Sequence, residues 1–157
     1  MKQILISCAL LSCLAAAGCG KSEEPIEPAP VAQLQGPWHM INRAVSCDSY
    51  YTVITPSSIV RVYEGGARKK YASIKKFTLE PGKVTLLTTG IDADPDKELS
   101  LKFSLEDDRL RLIDILRADN ASYKDPPKAT DPSEQAAMKT VFRLAEQRFA
   151  MDKCAGA

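Results

Sequence analysis

Three side chains in this sequence have types that do chemistry: Cys47, Cys154 and His39, the single histidine. A cysteine pair either forms a disulfide or shares a metal ion, and a histidine beside a nucleophile acts as a base. Neither cysteine belongs to a C-x-x-C, and one imidazole is the whole nitrogen donor set, so a disulfide is expected and a metal is not. No serine or cysteine stands in an elbow such as G-x-S-x-G, and His39 reads as a surface imidazole on a first strand. Asp92-Ala93-Asp94-Pro95-Asp96 carries carboxylates at the first, third and fifth positions of a calcium loop. Lys97 replaces its glycine and Phe103 its bidentate glutamate, so a solvated hairpin loop is expected instead. The remaining carboxylates fall on scattered outward positions. The chain therefore reads as a non-enzyme without cofactors.

What the cysteines do depends on where they live, and the first nineteen residues bear on that. Lys2 precedes the apolar stretch Ile4 to Leu11, and small residues follow in Ala15-Ala16-Ala17-Gly18 before Cys19. A positive start, an apolar middle and small residues at a cut make a secretory signal, and the run is shorter than the ~20 residues of a spanning helix. Ala16-Ala17-Gly18-Cys19 resembles the bacterial lipobox, with Ala16 where that motif usually has leucine. The resemblance implies a diacylglyceryl group on Cys19, cleavage before it, and residues 1–18 as a lipoprotein signal peptide. Leu10-Leu11-Ser12-Cys13 is the rival lipobox, and ordinary signal cleavage in the alanine-rich stretch is the other alternative. By resemblance to the sorting rule of Gram-negative lipoproteins, Gly20 in place of aspartate implies the outer membrane, facing the periplasm. Multiple acyl chains, at ~0.8 kcal/mol per buried methylene, make such an anchor effectively permanent.

Cysteine arithmetic then closes. Of five cysteines, Cys8 and Cys13 leave with the signal and Cys19 carries lipid, which leaves Cys47 and Cys154 for an oxidising compartment. Their bridge would close a loop of about a hundred residues, for which chain entropy gives ~4.7 kcal/mol. Charge excludes one class of partner. Lys and Arg total 21 against 20 for Asp and Glu, with no basic stripe, so nucleic acid is not expected. Arg68-Lys69-Lys70 and Lys75-Lys76 form a local positive patch, read as a solvated hairpin face.

The elements that position these residues follow in order. Residues 19–33 contain Pro25, Pro28 and Pro30 among Glu23, Glu24 and Glu27, bury little, and read as a flexible tether. A single domain is expected over 34–157, mainly β with a C-terminal helix: an antiparallel meander or small up-and-down barrel packed by one helix. Gly36-Pro37 leads into a first strand carrying Trp38, and Tyr50 to Thr55 reads as the second. Gly65-Gly66 reads as a two-residue hairpin loop between 58–64 and 67–74, and Pro81-Gly82 as a turn. Lys75-Lys76 breaks the apolar phase between Ile74 and Phe77, which predicts a bulge. Glu98 to Glu106 alternates without error, and a two-residue turn at Asp107-Asp108 would pair Leu105 with Leu110 and Phe103 with Leu112. Asp131, Pro132 and Glu134 carry helix start signals. Met138, Val141, Phe142, Ala145 and Phe149 make an apolar stripe on a helix expected over 132–153.

Gly36-Pro37-Trp38 on the first strand, then a meander and a helix, resembles the lipocalin and wider calycin pattern. That resemblance implies a barrel for small apolar molecules, its base plugged by Trp38. About eighty residues from Trp38 to Leu116 are fewer than eight full strands normally occupy, so a barrel of few strands, filled by its own side chains, is expected. Two functions remain open. One is a lipid-anchored envelope module engaging a protein partner, as inhibitor, immunity factor or assembly accessory. The other is a carrier of a small apolar ligand. Tyr50, Tyr51, Tyr63 and Tyr71, with Trp38, are the candidate binding aromatics, with half-buried strand positions as their plainer reading.

Overall fold

A computed structural model describes residues 33–41, 47–91 and 96–155. The signal peptide, Cys19 and the tether to residue 32 lie outside the described residues, as do 92–95 of the expected calcium-like loop. The fold is a closed antiparallel barrel in which strands consecutive in sequence are neighbours, with a 17-residue helix between the last two strands. The strands are β1 (Pro37–Met40), β2 (Tyr51–Ile54), β3 (Ser58–Val62), β4 (Arg68–Glu80), β5 (Lys83–Thr89), β6 (Glu98–Glu106), β7 (Arg109–Arg117) and β8 (Met151–Lys153). The helix, α1, is Pro132–Arg148.

The expectation of few strands is corrected. Eight fit because β1, β2 and β3 have four, four and five residues and β8 three, so closure falls to short strands beside the long β4 to β7. The expected helix over 132–153 is likewise corrected at its end. Phe149 leaves helical geometry at φ −110° and ψ 18°, and Met151–Lys153 extends to pair with β1 and β7. Both sheet edges thereby lose their unpaired backbone groups, which a helix continued to residue 153 would leave open.

Local chemistry sets the rest. Asp107 and Asp108, at φ 47° and 57°, make the two-residue turn, and Leu105 faces Leu110 while Phe103 faces Leu112, as the alternation predicts. The register of β4 against β5 shifts between Ile74 and Lys76, the predicted bulge, which lets one strand of 13 residues bend around the barrel. Gly82 at φ 67° serves the Pro81 turn. The Gly65-Gly66 connection has three residues rather than two: the amide of Tyr63 donates to the Ala67 carbonyl across Glu64, Gly65 and Gly66.

At the end of the barrel where Pro37 and Lys153 lie, Trp38 is fully buried and its indole donates to the Leu34 carbonyl at 2.8 Å. Phe103, Leu86, Leu101, Leu110 and Met151 fill the interior beside it, each at most 1% exposed. Eight strands leave about this much room and little more.

The other end is covered by α1. The Asp131 carboxylate caps the helix, accepting from the backbone amides of Ser133 and Glu134 at 2.8 and 3.4 Å. The Ser133 hydroxyl and those amides hold its carboxyl below the ordinary carboxylate range. Glu134 does not fold back on the cap but accepts from Arg117 of β7 at 2.8 Å, tying helix to barrel. Met138, Phe142 and Phe149 are buried as the stripe predicts, whereas Val141 and Leu144 stay exposed.

Candidate functional site

Two places gather the residues singled out by sequence. The first is on the outer face of β1. Trp38 and Met40 point inward, so His39 between them points out, as does Asp152 paired with it on β8. Cys154 follows β8, and its amide donates to the Pro37 carbonyl at 2.9 Å. Cys47, in the β1 to β2 connection, is bonded to Cys154 with their Cα atoms 5.9 Å apart and a sequence separation of 107. The pairing expected from cysteine arithmetic is thus present. The reading of His39 as a plain surface imidazole is corrected: it is half-buried, with Nδ1 3.5 Å from Cys47 Sγ. A disulfide sulfur has no proton, so the imidazole N–H is the donor. Asp152 faces elsewhere, accepting from Arg111 at 3.2 Å.

The second place is the helix-covered end of the barrel. Thr52 and Ile54 are the buried residues of β2, and their partners on β3 are Arg61 and Ile59, so Arg61 lies on the inner side. Its guanidinium stacks 4.1 Å above the centre of the Tyr71 ring. Tyr71 meets Phe149 edge to face at 5.7 Å, and Phe149 meets the buried Phe103 at 5.6 Å. Tyr50 and Tyr63 pack edge to face at 5.3 Å beside this chain of rings in sequence and register. Between barrel and helix, Tyr71, Ile91, Leu99, Leu101, Ile115 and Ala145 line an apolar cavity of about 200 Å³. Arg68, Lys69 and Lys70 lie exposed on the adjoining hairpin, and among the described residues no ion pair engages them or Arg61.

Four of the five candidate aromatics therefore divide by position. Tyr50, Tyr63 and Tyr71 lie at one end, Tyr50 against Tyr63 and Tyr71 against Phe149, while Trp38 is core at the other. Tyr51 stands apart, half-buried on β2 opposite Val62. Lys75 and Lys76 belong to the β4 bulge rather than to this end. Arg61 was not singled out by sequence. Its only signal there is a cation inside Ile59-Val60-Arg61-Val62, at a position whose alternation points in.

Among the described residues no helix is long and apolar enough to cross a membrane. No family model matches the chain, and no curated protein or solved structure is similar to it.

Proposed function

We propose that this protein is a non-enzymatic, lipid-anchored binding module of the bacterial envelope, which engages a protein partner through the helix-covered end of its barrel. The observation that carries the reading is a filled interior beneath an aromatic and cationic rim. Trp38, Phe103, Leu86 and Leu101 occupy the space a carrier would keep for its ligand. The hollow between barrel and helix, about 200 Å³, is smaller than the ~300–1,000 Å³ usual for small-molecule sites. Tyr and Arg are the residues enriched at protein interfaces, and the rim concentrates Tyr50, Tyr63, Tyr71 and Arg61 there. The exposed positive charge of Arg68, Lys69 and Lys70 favours an acidic partner surface. Lipidation of Cys19 and the tether of residues 19–33 would hold the module at the outer membrane, facing the periplasm.

A second reading rests on that apolar hollow: a small apolar ligand seated under α1, against Tyr71 and Leu101. Organic extraction of protein purified from its native membrane separates the two. The first reading predicts no stoichiometric apolar molecule in the extract, and recovery of one overturns it in favour of the second. The anchor is tested by fractionation, in which Cys19→Ala releases the protein from membranes. An unmodified N-terminus by intact mass would remove the lipid.

A further inference from the structure

We propose that, once its disulfide is reduced, this protein binds one zinc ion through the Sγ atoms of Cys47 and Cys154 and Nδ1 of His39. These three ligand atoms already lie within 4.8 Å of one another. Zinc takes sulfur at ~2.3 Å and imidazole nitrogen at ~2.0 Å in tetrahedral geometry, so its nitrogen and sulfur ligands stand ~3.5 Å apart. His39 Nδ1 and Cys47 Sγ are 3.5 Å apart. The imidazole is thus at ligand spacing before any metal arrives. The same geometry asks for ~3.8 Å between the two sulfurs, which side-chain rotation supplies once the bond is broken, from Cα atoms 5.9 Å apart.

Two of the three ligands are held by the barrel itself. His39 lies within β1, and Cys154 is fastened to that strand by its bond to the Pro37 carbonyl, so Cys47 alone comes from a connection. Cys154 is 7% exposed and the other two are half-buried, which leaves the fourth position to water. Two thiolates and an imidazole suit zinc better than a hard oxygen-seeking cation.

The site is gated by redox state. A dithiol reductant transfers two electrons and two protons to the disulfide, giving two thiols on this chain and a disulfide on the reductant. Zinc then replaces the two thiol protons, which are released, and His39 binds as the neutral ring with Nδ1 free. In the oxidised form the sulfurs are joined, carry no charge, and offer no such site.

The test uses the full chain carrying Cys8→Ser, Cys13→Ser and Cys19→Ser, titrated with Co²⁺ and Zn²⁺ in oxidised and reduced forms. The proposal expects one ion per reduced chain, with the thiolate charge-transfer and intense d–d bands of tetrahedral cobalt, displaced by Zn²⁺. It expects no such spectrum from the oxidised chain. His39→Ala should weaken binding by at least the roughly tenfold that loss of even an outer-shell partner costs. If reduction unfolds the chain, one equivalent of Zn²⁺ should restore the emission of buried Trp38. Absence of binding and of refolding, equal binding by the oxidised chain, or full affinity in His39→Ala would each overturn the proposal.

Discussion

The indole N–H of Trp38 donates to the Leu34 carbonyl four residues earlier, at 2.8 Å, and both side chains are essentially inaccessible to solvent. This bond joins the segment entering the barrel to a fully buried residue of its first strand. Replacing Trp38 with Phe keeps an aromatic ring but orphans a buried carbonyl, at about 1–3 kcal/mol, and adds a cavity. Urea unfolding of Trp38→Phe should show that loss with an unchanged denaturant slope. A stability within ~0.5 kcal/mol of the parent, the range of neutral surface changes, would contradict the packing described for this end.

Reduction of the Cys47 to Cys154 bond should destabilise the metal-free protein by about 2–4 kcal/mol, toward the lower side of the chain-entropy value for so long a loop. Comparing urea midpoints with and without a dithiol measures it. Cys47→Ser with Cys154→Ser should reproduce the loss and make the protein indifferent to reductant.

The helix cap gives a pH dependence of known sign. Donation from the Ser133 hydroxyl, then from the backbone amides of Ser133 and Glu134, lowers the Asp131 pKa from its ordinary 3.8. A depressed carboxylate contributes stability that is complete above the unfolded value and vanishes as pH falls through the folded one. Asp131→Ala should therefore lower Tm near neutral pH, and the difference should close as the solution is acidified below 3.8. Thermal scans of both proteins across that window check it. A gap that stays constant to strong acid would place the cap's contribution elsewhere than in the charge.

The parts of this fold legible in sequence are those governed by neighbours in the chain. Alternation over Glu98 to Glu106 and the Asp107-Asp108 turn specify the β6 to β7 register residue by residue, because a one-residue slip would turn Phe103 and Leu101 to water. The bulge at Lys75 shows for the same reason, as a break in phase. Strand β8 does not, because three residues are too few to display a period, and Phe149 continues the helical spacing of Met138 and Phe142. What fixes it is the need to pair the open edges of β1 and β7, a relation between residues far apart in sequence. The disulfide was legible through elimination of the other cysteines. The approach of His39 to its sulfur, and of Arg61 to Tyr71, were not, since each depends on how distant strands are brought side by side.

Partner engagement should depend on the rim without depending on the fold. The Lys69→Glu, Lys70→Glu double variant alters exposed positions, so its unfolding free energy should stay within ~0.5 kcal/mol of the parent, while Tyr63→Ser also loses the edge-to-face contact with Tyr50, at about 0.5–1.5 kcal/mol. Recovery of a partner from the envelope should fall in both. The charge reversal should also abolish the salt dependence of association.

The account's central claim, that this protein binds another protein through the helix-covered end of its barrel, is met most directly by position-resolved crosslinking in the intact envelope. A photoreactive residue at position 63 should give a discrete adduct with one protein, identified by mass spectrometry. The same residue at position 106, exposed at the opposite end of the barrel, should give none. Equal adducts at both positions, or none at 63 with a lipid or other apolar molecule crosslinked from position 71, would contradict it.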